Sequence, residues 1–585
     1  MLIHNVRQKR KENALRYETF GKVLLFTYPV FIVLLSEFNH LQSLPDLMNF
    51  LINDFSVFLF DILLMGAIFA SILFFVRSGF LAMFSTGLIL FILSFVEYFK
   101  YKSSGAHFVL SDLFMAGNTS QLMKFAGVQL NAVMIVDILI FLAYFAMVFW
   151  FNPRLVNPMK NYKRFLTAIS CLLIVAVSVA TPLSTLIYSV FAVDNAVTPN
   201  NYASNEKFSK NNLVGYLAQT STEQILNSVD EPEPYSEQSI QSELSPAKQA
   251  VSSVKPNVVV IMSESYADMR RLGLAENFDS YYTNFDRIAQ EGFRGNAVVP
   301  TFGNTTVRTE FELMFGVPMK SLNDPTTPQK TLVEREQQPT FAQYYKQNGY
   351  STAYIHPFLS TFYGRDEIYS NYGFDKMLFR DDLTVKATQF REYIDDRTDF
   401  NQVLQELRNN DGPSYVYTST MQNHQPYNLD ENLTEFQYYM EGIKQTDQYL
   451  GEFFDALKQL DEPTVVLFVG DHYPYFTDED GVYEQAGFSQ ENAYKLYQQP
   501  YLIWNNYGAD YSVPQEDVSA FYLPHLLVEL TGAEQTPFIA TMLDQIKVTP
   551  VYSSNYNREI AVNKALDELT YDRVLGNVFS EPDKE

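Results

Sequence analysis

Five apolar stretches, each close to the length of a membrane span, crowd into the first third of this 585-residue chain. They run over Phe20–Phe38, Ser56–Val76, Phe80–Phe99, Ala132–Phe151 and Phe165–Val193. A helix needs about 20 apolar residues to cross ~30 Å of hydrocarbon. Five such stretches in close succession exclude the buried helices of a soluble protein. The expected architecture is an N-terminal five-helix transmembrane domain over residues 1–193, followed by something folded outside the bilayer.

Charge supports that division. Residues 1–193 carry 14 Lys/Arg against 9 Asp/Glu, and the remaining 392 carry 28 against 58. The basic residues cluster in three flanks: Arg7, Lys9, Arg10, Lys11, Arg16 and Lys22 before the first span, Arg77 after the second, and Arg154, Lys160, Lys163 and Arg164 after the fourth. With five spans these flanks share one side, which the positive-inside rule makes cytoplasmic. Everything after Val193 is then extracytoplasmic. Lys100, Lys102 and Lys124 stand against the pattern. Asp61 and Asp137 lie within spans, where ionisable residues are functional candidates. The loop Ser103–Gln129 is mildly apolar and is expected to lie along the outer membrane face. A net charge of −25 excludes a nucleic-acid binder that relies on a basic surface. The single cysteine, Cys171, excludes an internal disulfide framework.

Residues 194–255 are rich in Asn, Ser, Gln, Glu and Pro. They read as an extended extracellular linker with one helix near Leu213–Asn227. From Pro256 the texture changes. Apolar runs at Asn257–Met262, Ser351–Ile355, Ser414–Thr418 and Val465–Val469 alternate with helical patterns at Tyr281–Gly292, Val307–Gly316, Phe341–Asn348 and Thr434–Leu460. Continuous apolar strands alternating with helices predict an α/β domain with a mostly parallel central sheet covered on both faces. This domain is assigned to 256–556, with a C-terminal helix and tail over 557–585.

What ends each strand carries the chemistry. The first runs into Ser263-Glu264-Ser265, the second into His356, the third shortly into Asn423-His424, and the fourth into Gly470-Asp471-His472. Open α/β sheets bind ligands outside the carboxyl ends of their strands. Three of the chain's seven histidines fall there. Two carboxylates and an imidazole without a thiolate suit Mn²⁺ or Zn²⁺, with Mg²⁺ also open. Gly303-Asn-Thr-Thr306 stands just before a helical run and places a hydroxyl at a helix N-terminus, where an anion is favoured. Thr305 or Thr306 either caps that helix, with Thr309 and Glu310 nearby, or is activated as a nucleophile beside a metal. Arg365 in Thr361-Phe-Tyr-Gly-Arg365 suits bidentate contact with phosphate, with Phe362 and Tyr363 beside it.

Met262-Ser-Glu-Ser265, Gly303-Asn-Thr-Thr-Val-Arg-Thr-Glu-Phe-Glu312, His356 with Arg365, Asn423-His424 and Gly470-Asp-His472 together resemble the lipoteichoic acid synthase family, of the alkaline phosphatase and sulfatase superfamily. The layout of five spans, linker and extracellular catalytic domain is also similar. The resemblance implies a sulfatase-like fold and a multi-pass phosphoglycerol transferase in the cell membrane of a Gram-positive bacterium, acting in cell wall biogenesis. It implies a phosphatidylglycerol donor, a covalent threonine intermediate, and a glycolipid anchor or growing polyglycerol-phosphate chain as acceptor. Carried onto this sequence, Thr306 is the nucleophile; Glu264, Thr306, Asp471 and His472 hold Mn²⁺; and His356, Phe362, Tyr363, Arg365 and His424 line the phosphoglycerol pocket.

There are departures from the family pattern. Asn304 and Thr305 replace a more Gly-rich run, Tyr363 stands where Trp is usual, and Tyr473-Pro-Tyr-Phe476 lacks a serine expected near substrate. Transfer of a single glycerol phosphate to a primer glycolipid or surface polysaccharide stays open, as does phosphoethanolamine transfer with Zn²⁺. The alternatives outside these transferases are a catalytically silent membrane sensor or scaffold and a transporter. A true sulfatase is disfavoured, since the sole Cys171 lies in a span.

Overall fold

The computed structural model describes residues 14–581 apart from 126–127, 154–158, 197, 199, 227–228, 275, 326, 332–336, 478–480, 512, 514–516 and 557–560. Most of the N-terminal basic cluster, together with Arg154, therefore lies outside the described residues. Five helices are long and apolar enough to cross a membrane: Glu18–Leu41, Phe55–Val76, Gly79–Ser104, Ala132–Phe151 and Asn161–Val179. The fifth expected stretch is divided. Its helix stops at Val179 and a short one, Leu183–Phe191, follows Pro182, because proline lacks the N–H that would continue the ladder.

The segment read as an extended linker is largely folded. Helix Asn201–Leu226 bends at Asn212 (φ 50°, ψ −167°) and buries Leu213, Val214 and Ala218 in the membrane-side core. Its polar composition hid this, because some of its partners are themselves polar. Glu37, fully buried in the first span, accepts the Leu213 N–H at the bend at 3.3 Å. Asp61 of the second span is fully buried beside Gly215. The carboxylates of Asp61 and Asp137 have no hydrogen-bond partner among the described residues, and no function is assigned to them. Beyond this helix, Tyr235 donates to Asp572 at 2.8 Å and Gln241 to the Phe579 carbonyl at 2.6 Å. The C-terminal helix Lys564–Val574 packs Leu566, Leu569 and Val574 into the catalytic core.

The strands of the second unit are β1 (Asn257–Ser263), β2 (Phe293–Val298), β3 (Ser351–His356), β4 (Lys376–Phe379), β5 (Gln389–Phe390), β6 (Tyr393–Ile394), β7 (Ser414–Ser419), β8 (Thr464–Gly470), β9 (Gln498–Asn505) and β10 (Asp517–Ser519). Eight form one sheet in the order β10-β2-β9-β8-β1-β7-β3-β4, and β5 and β6 form a separate hairpin. Only β9 runs antiparallel to its neighbours β2 and β8. The central strands read as unbroken apolar runs because both of their faces are buried. Val258, Val260 and Met262 of β1 enter one core, and Val259 and Ile261 the other.

The two units meet at the loop that precedes helix Val307–Phe315. Asn304 Nδ2 donates to the Ser104 carbonyl at 3.2 Å, at the outer end of the third span. Gly105 (φ +64°) ends that helix against the Tyr475 ring, which a β-carbon there would approach to 2.3 Å. A side chain at Gly105 meets both a left-handed backbone and this ring. Gly105→Val is expected to lower the thermal midpoint of the full-length protein by several degrees, since left-handed strain alone costs roughly 1–3 kcal/mol. A thermal unfolding scan in detergent checks it.

Candidate active site

Four parallel strands, β8-β1-β7-β3, lie side by side, so their carboxyl ends present Asp471-His472, Glu264, Asn423-His424 and His356 at one edge. Glu264, Asp471 and His472 are all buried, and one potential ligand atom from each lies within 4.8 Å of the others. Asp471 Oδ1 accepts the backbone N–H groups of Ser265 and His472, each at 2.7 Å. Asp471 Oδ2 is buried with no hydrogen-bond partner among the described residues. His472 Nδ1 donates to the Tyr473 carbonyl at 2.9 Å. A carbonyl only accepts, so the proton is fixed on Nδ1 and the Nε2 lone pair faces the carboxylates. Asp471 Oδ2 lies 3.2 Å from that nitrogen. An orphaned carboxylate oxygen, a second buried carboxylate and a pre-set imidazole lone pair fit a divalent metal ion.

Thr306 completes the group. It begins helix Val307–Phe315, yet its hydroxyl caps none of that helix's N–H groups. It donates instead to Glu264 Oε2 at 3.2 Å and lies 3.5 Å from His472 Nε2. Thr309 does a different job, donating to the Asp471 carbonyl at 2.8 Å. Thr305 turns its hydroxyl to the Asn304 side-chain oxygen. Its φ of +62° is an outlier for a β-branched residue. Ser265 (φ +50°) and Tyr363 (φ +61°) share that region. Such backbone clusters at functional sites, where surrounding structure holds it in place.

Burial sets the electrostatics. It pushes the Asp471 carboxyl up to about 7. It raises Glu264 as well, with Asp471 adding repulsion. The same desolvation pushes the His472 and His424 imidazoles down, toward the neutral form.

The other expected pocket residues divide into two groups. Phe362, Tyr363 and His424 line a cavity of about 720 Å³ together with Glu264, Thr306 and His472. His356 and Arg365 are not among its lining residues. Arg365, 1% exposed, gives Nε and Nη2 to Glu310 Oε2 at 3.2 and 2.9 Å and lies 3.2 Å from His356 Nε2 through Nη1. His356 Nδ1 donates to the Ser419 carbonyl at 2.8 Å. Glu310 also accepts from Tyr354 at 2.7 Å and Tyr369 at 2.6 Å. Arg365 thus forms a buried ion pair behind the Tyr363 ring, 5.3 Å from its centre. Sequence reasoning placed Glu310 only near the helix start and missed this pairing. It also missed that Ile92, Val96, Phe99, Lys100 and Asp112, from the third span and the loop after it, line the same cavity. The available signal was Lys100, a cation that stands against the flank pattern.

The sulfatase family model matches residues 256–533. A putative cyclic β-1,2-glucan modification protein of Rhizobium meliloti is 25% identical over 330 residues, 51% of this chain and 50% of that one. Lipoteichoic acid synthase 1 of Bacillus subtilis is 28% identical over 142 residues, 22% of each chain. The chain spans about half the length of the curated relatives it matches over the longest stretches. Relatives in Gram-negative bacteria mean that the family likeness does not select a Gram-positive envelope. The phosphoglycerol transferase GacH of Streptococcus pyogenes, solved with sn-glycerol-1-phosphate, shares the fold at a TM-score of 0.52 and 21% identity, covering 60% of this chain and 97% of that one. Over residues 256–533 the chain thus matches the sulfatase family model, and lipoteichoic acid synthases are among the proteins it is similar to.

Proposed function

We propose that the protein is a membrane-anchored phosphoglycerol transferase that moves glycerol phosphate from phosphatidylglycerol, through a glycerophosphoryl-Thr306 intermediate, to a lipoteichoic acid chain or glycolipid. One observation carries this reading. The Thr306 hydroxyl turns away from the helix it begins and into a buried Glu264/Asp471/His472 set, inside a cavity whose other wall is a membrane-length helix. The likeness to lipoteichoic acid synthase 1 and to GacH supports the head group. The flanking charges support a multi-pass cell-membrane protein with its catalytic domain outside.

In the first displacement Thr306 Oγ1 attacks phosphorus and the bond to the diacylglycerol oxygen breaks. Its proton passes to Glu264 Oε2, 3.2 Å away, and from there to the departing diacylglycerol oxygen. In the second displacement an acceptor hydroxyl attacks phosphorus, the bond from phosphorus to Thr306 Oγ1 breaks, and the acceptor's proton restores the Thr306 hydroxyl. Glu264, Thr306, Asp471 and His472 would hold a divalent ion, Mn²⁺ on the family likeness, which supplies charge neutralisation and a more acidic hydroxyl when bound. Tyr363, Phe362 and His424 line the phosphoglycerol side of the cavity, and the Arg365–His356 pair braces Tyr363 from behind. A carbohydrate acceptor receiving a single glycerol phosphate is the second reading, favoured by the name of the glucan-modifying relative.

The test uses purified full-length protein with phosphatidylglycerol and phosphatidylethanolamine, each with a fluorescent acyl chain, and added Mn²⁺, Mg²⁺ or Zn²⁺. Metal-dependent release of fluorescent diacylglycerol from phosphatidylglycerol is expected. Release from phosphatidylethanolamine alone overturns the phosphoglycerol reading.

A further inference from the structure

The catalytic cavity does not end at the sulfatase domain. It continues down the third span, where Ile92, Val96 and Phe99 recur at helical spacing on one face. Leu113, Leu122 and Met123, from the short helices after that span, line it too. From Ile92 to Ser104 the helix rises about 18 Å, close to one leaflet's share of a ~30 Å hydrocarbon core. Ile92 is 51% and Met123 52% exposed, so this limb is open toward the bilayer. Where it meets the catalytic residues stands Lys100. Two of its three N–H donors go to the His107 carbonyl at 2.9 Å and Asp112 Oδ2 at 2.5 Å. One donor remains for the cavity. The sequence of surfaces is therefore apolar wall, single cation, then Thr306 and the carboxylates. A phospholipid has the same order: acyl chain, phosphodiester, head group.

Resting on the reading that the donor is a phospholipid, we propose that the membrane-side limb of the cavity binds one acyl chain of that donor, entered sideways from the outer leaflet. The lipid then keeps this chain at bilayer depth while its phosphodiester reaches Thr306. The third span becomes part of the substrate site, and Lys100 meets the phosphate as it arrives. An apolar surface this long, continuous with a catalytic nucleophile and built from membrane-span residues, fits a lipid chain better than a soluble ligand.

The test is photolabelling in liposomes with phosphatidylglycerol that carries a diazirine midway along one acyl chain. Full-length Thr306→Ala protein is labelled so that the probe is not consumed. Adducts are expected in 92–99 and 113–123. Ile92→Trp, which fills the limb, is expected to reduce them at least tenfold. The same substitution in the otherwise wild-type enzyme should slow turnover of long-chain phosphatidylglycerol at least tenfold more than that of a short-chain, water-soluble one. Val96→Phe serves as a second blocking variant should Ile92→Trp fail to fold. Adducts spread evenly over all lipid-facing spans overturn the proposal, as does equal slowing of long- and short-chain donors. Competition by an unlabelled glycolipid but not by phosphatidylglycerol assigns the limb to the acceptor and also overturns it. Adducts in the limb without head-group release by wild-type protein uphold the limb and remove the phosphoglycerol reading. Release without such adducts does the reverse.

Discussion

Thr306→Ala is expected to abolish the proposed diacylglycerol release, by about 10³-fold or more, while the protein stays folded. A 10³-fold loss corresponds to about 4 kcal/mol of transition-state stabilisation. The effect is large because no neighbour can substitute. The Thr305 hydroxyl is turned to Asn304 and that of Thr309 to the Asp471 carbonyl. Folding is expected to survive because the Thr306 hydroxyl caps no helix N–H, so removing it leaves no helix donor orphaned. Thr306→Ser keeps the oxygen and should retain measurable turnover. Intact-protein mass spectrometry after brief exposure to donor supplies the second measurement: a glycerophosphoryl adduct on wild type and none on Thr306→Ala. Full activity in the alanine variant would remove Thr306 as nucleophile.

Asp471→Asn is expected to weaken metal binding by more than the roughly 10–100-fold that losing an outer-shell partner costs, with activity falling alongside. Its effect on stability has the opposite sign. In the metal-free protein burial raises the Asp471 carboxyl to about 7, above its ordinary value of 3.8. A raised folded-state value favours the protonated form. The stability this group contributes is present below the ordinary value and is lost as pH rises through about 7. Asparagine mimics the neutral form at every pH. At pH 8 the metal-free variant should therefore melt above metal-free wild type, and adding metal should reverse that order. For wild type, metal affinity should weaken as pH falls below about 7, because the carboxylate must lose its proton to act as a ligand. Calorimetric metal titrations at several pH values, paired with thermal scans, check both signs. A variant that binds metal as wild type does would take Asp471 out of the ligand set.

Much of this was legible in the residues. β1, β3, β7 and β8 announce themselves because strands buried on both faces must be apolar throughout. Once these four are placed side by side, Glu264, His356, His424 and Asp471-His472 fall at one edge. β9 was hidden, since Pro500 sits inside it and proline argues against an inner strand. β2 was hidden by Arg294, Gly295 and Asn296. The half of helix Asn201–Leu226 after its bend matches the helix expected near Leu213–Asn227, while the half before it was hidden by its polarity, which read as solvation. Arg365 illustrates a different limit. Its chemistry suits phosphate, but Glu310, 55 positions away in the chain, holds its guanidinium in a buried pair. No local pattern encodes such a partnership. Lys100 was visible only as an exception, and it acquires a place once the third span is seen beside the catalytic domain.

The dock between Ser104, Gly105, Asn304 and Tyr475 has a kinetic consequence. Because the Thr306 loop is fastened to the end of a candidate span, the proposed function has its reacting hydroxyl held at a set height over the membrane plane instead of swinging on a tether. Enzyme and lipid then search for each other in two dimensions. Turnover is then expected to follow the donor's mole fraction in the leaflet, unchanged when vesicles are diluted in buffer and slowed when the donor is diluted with inert lipid. An acceptor chain, however long, must bring its reactive end back to that same height for each addition.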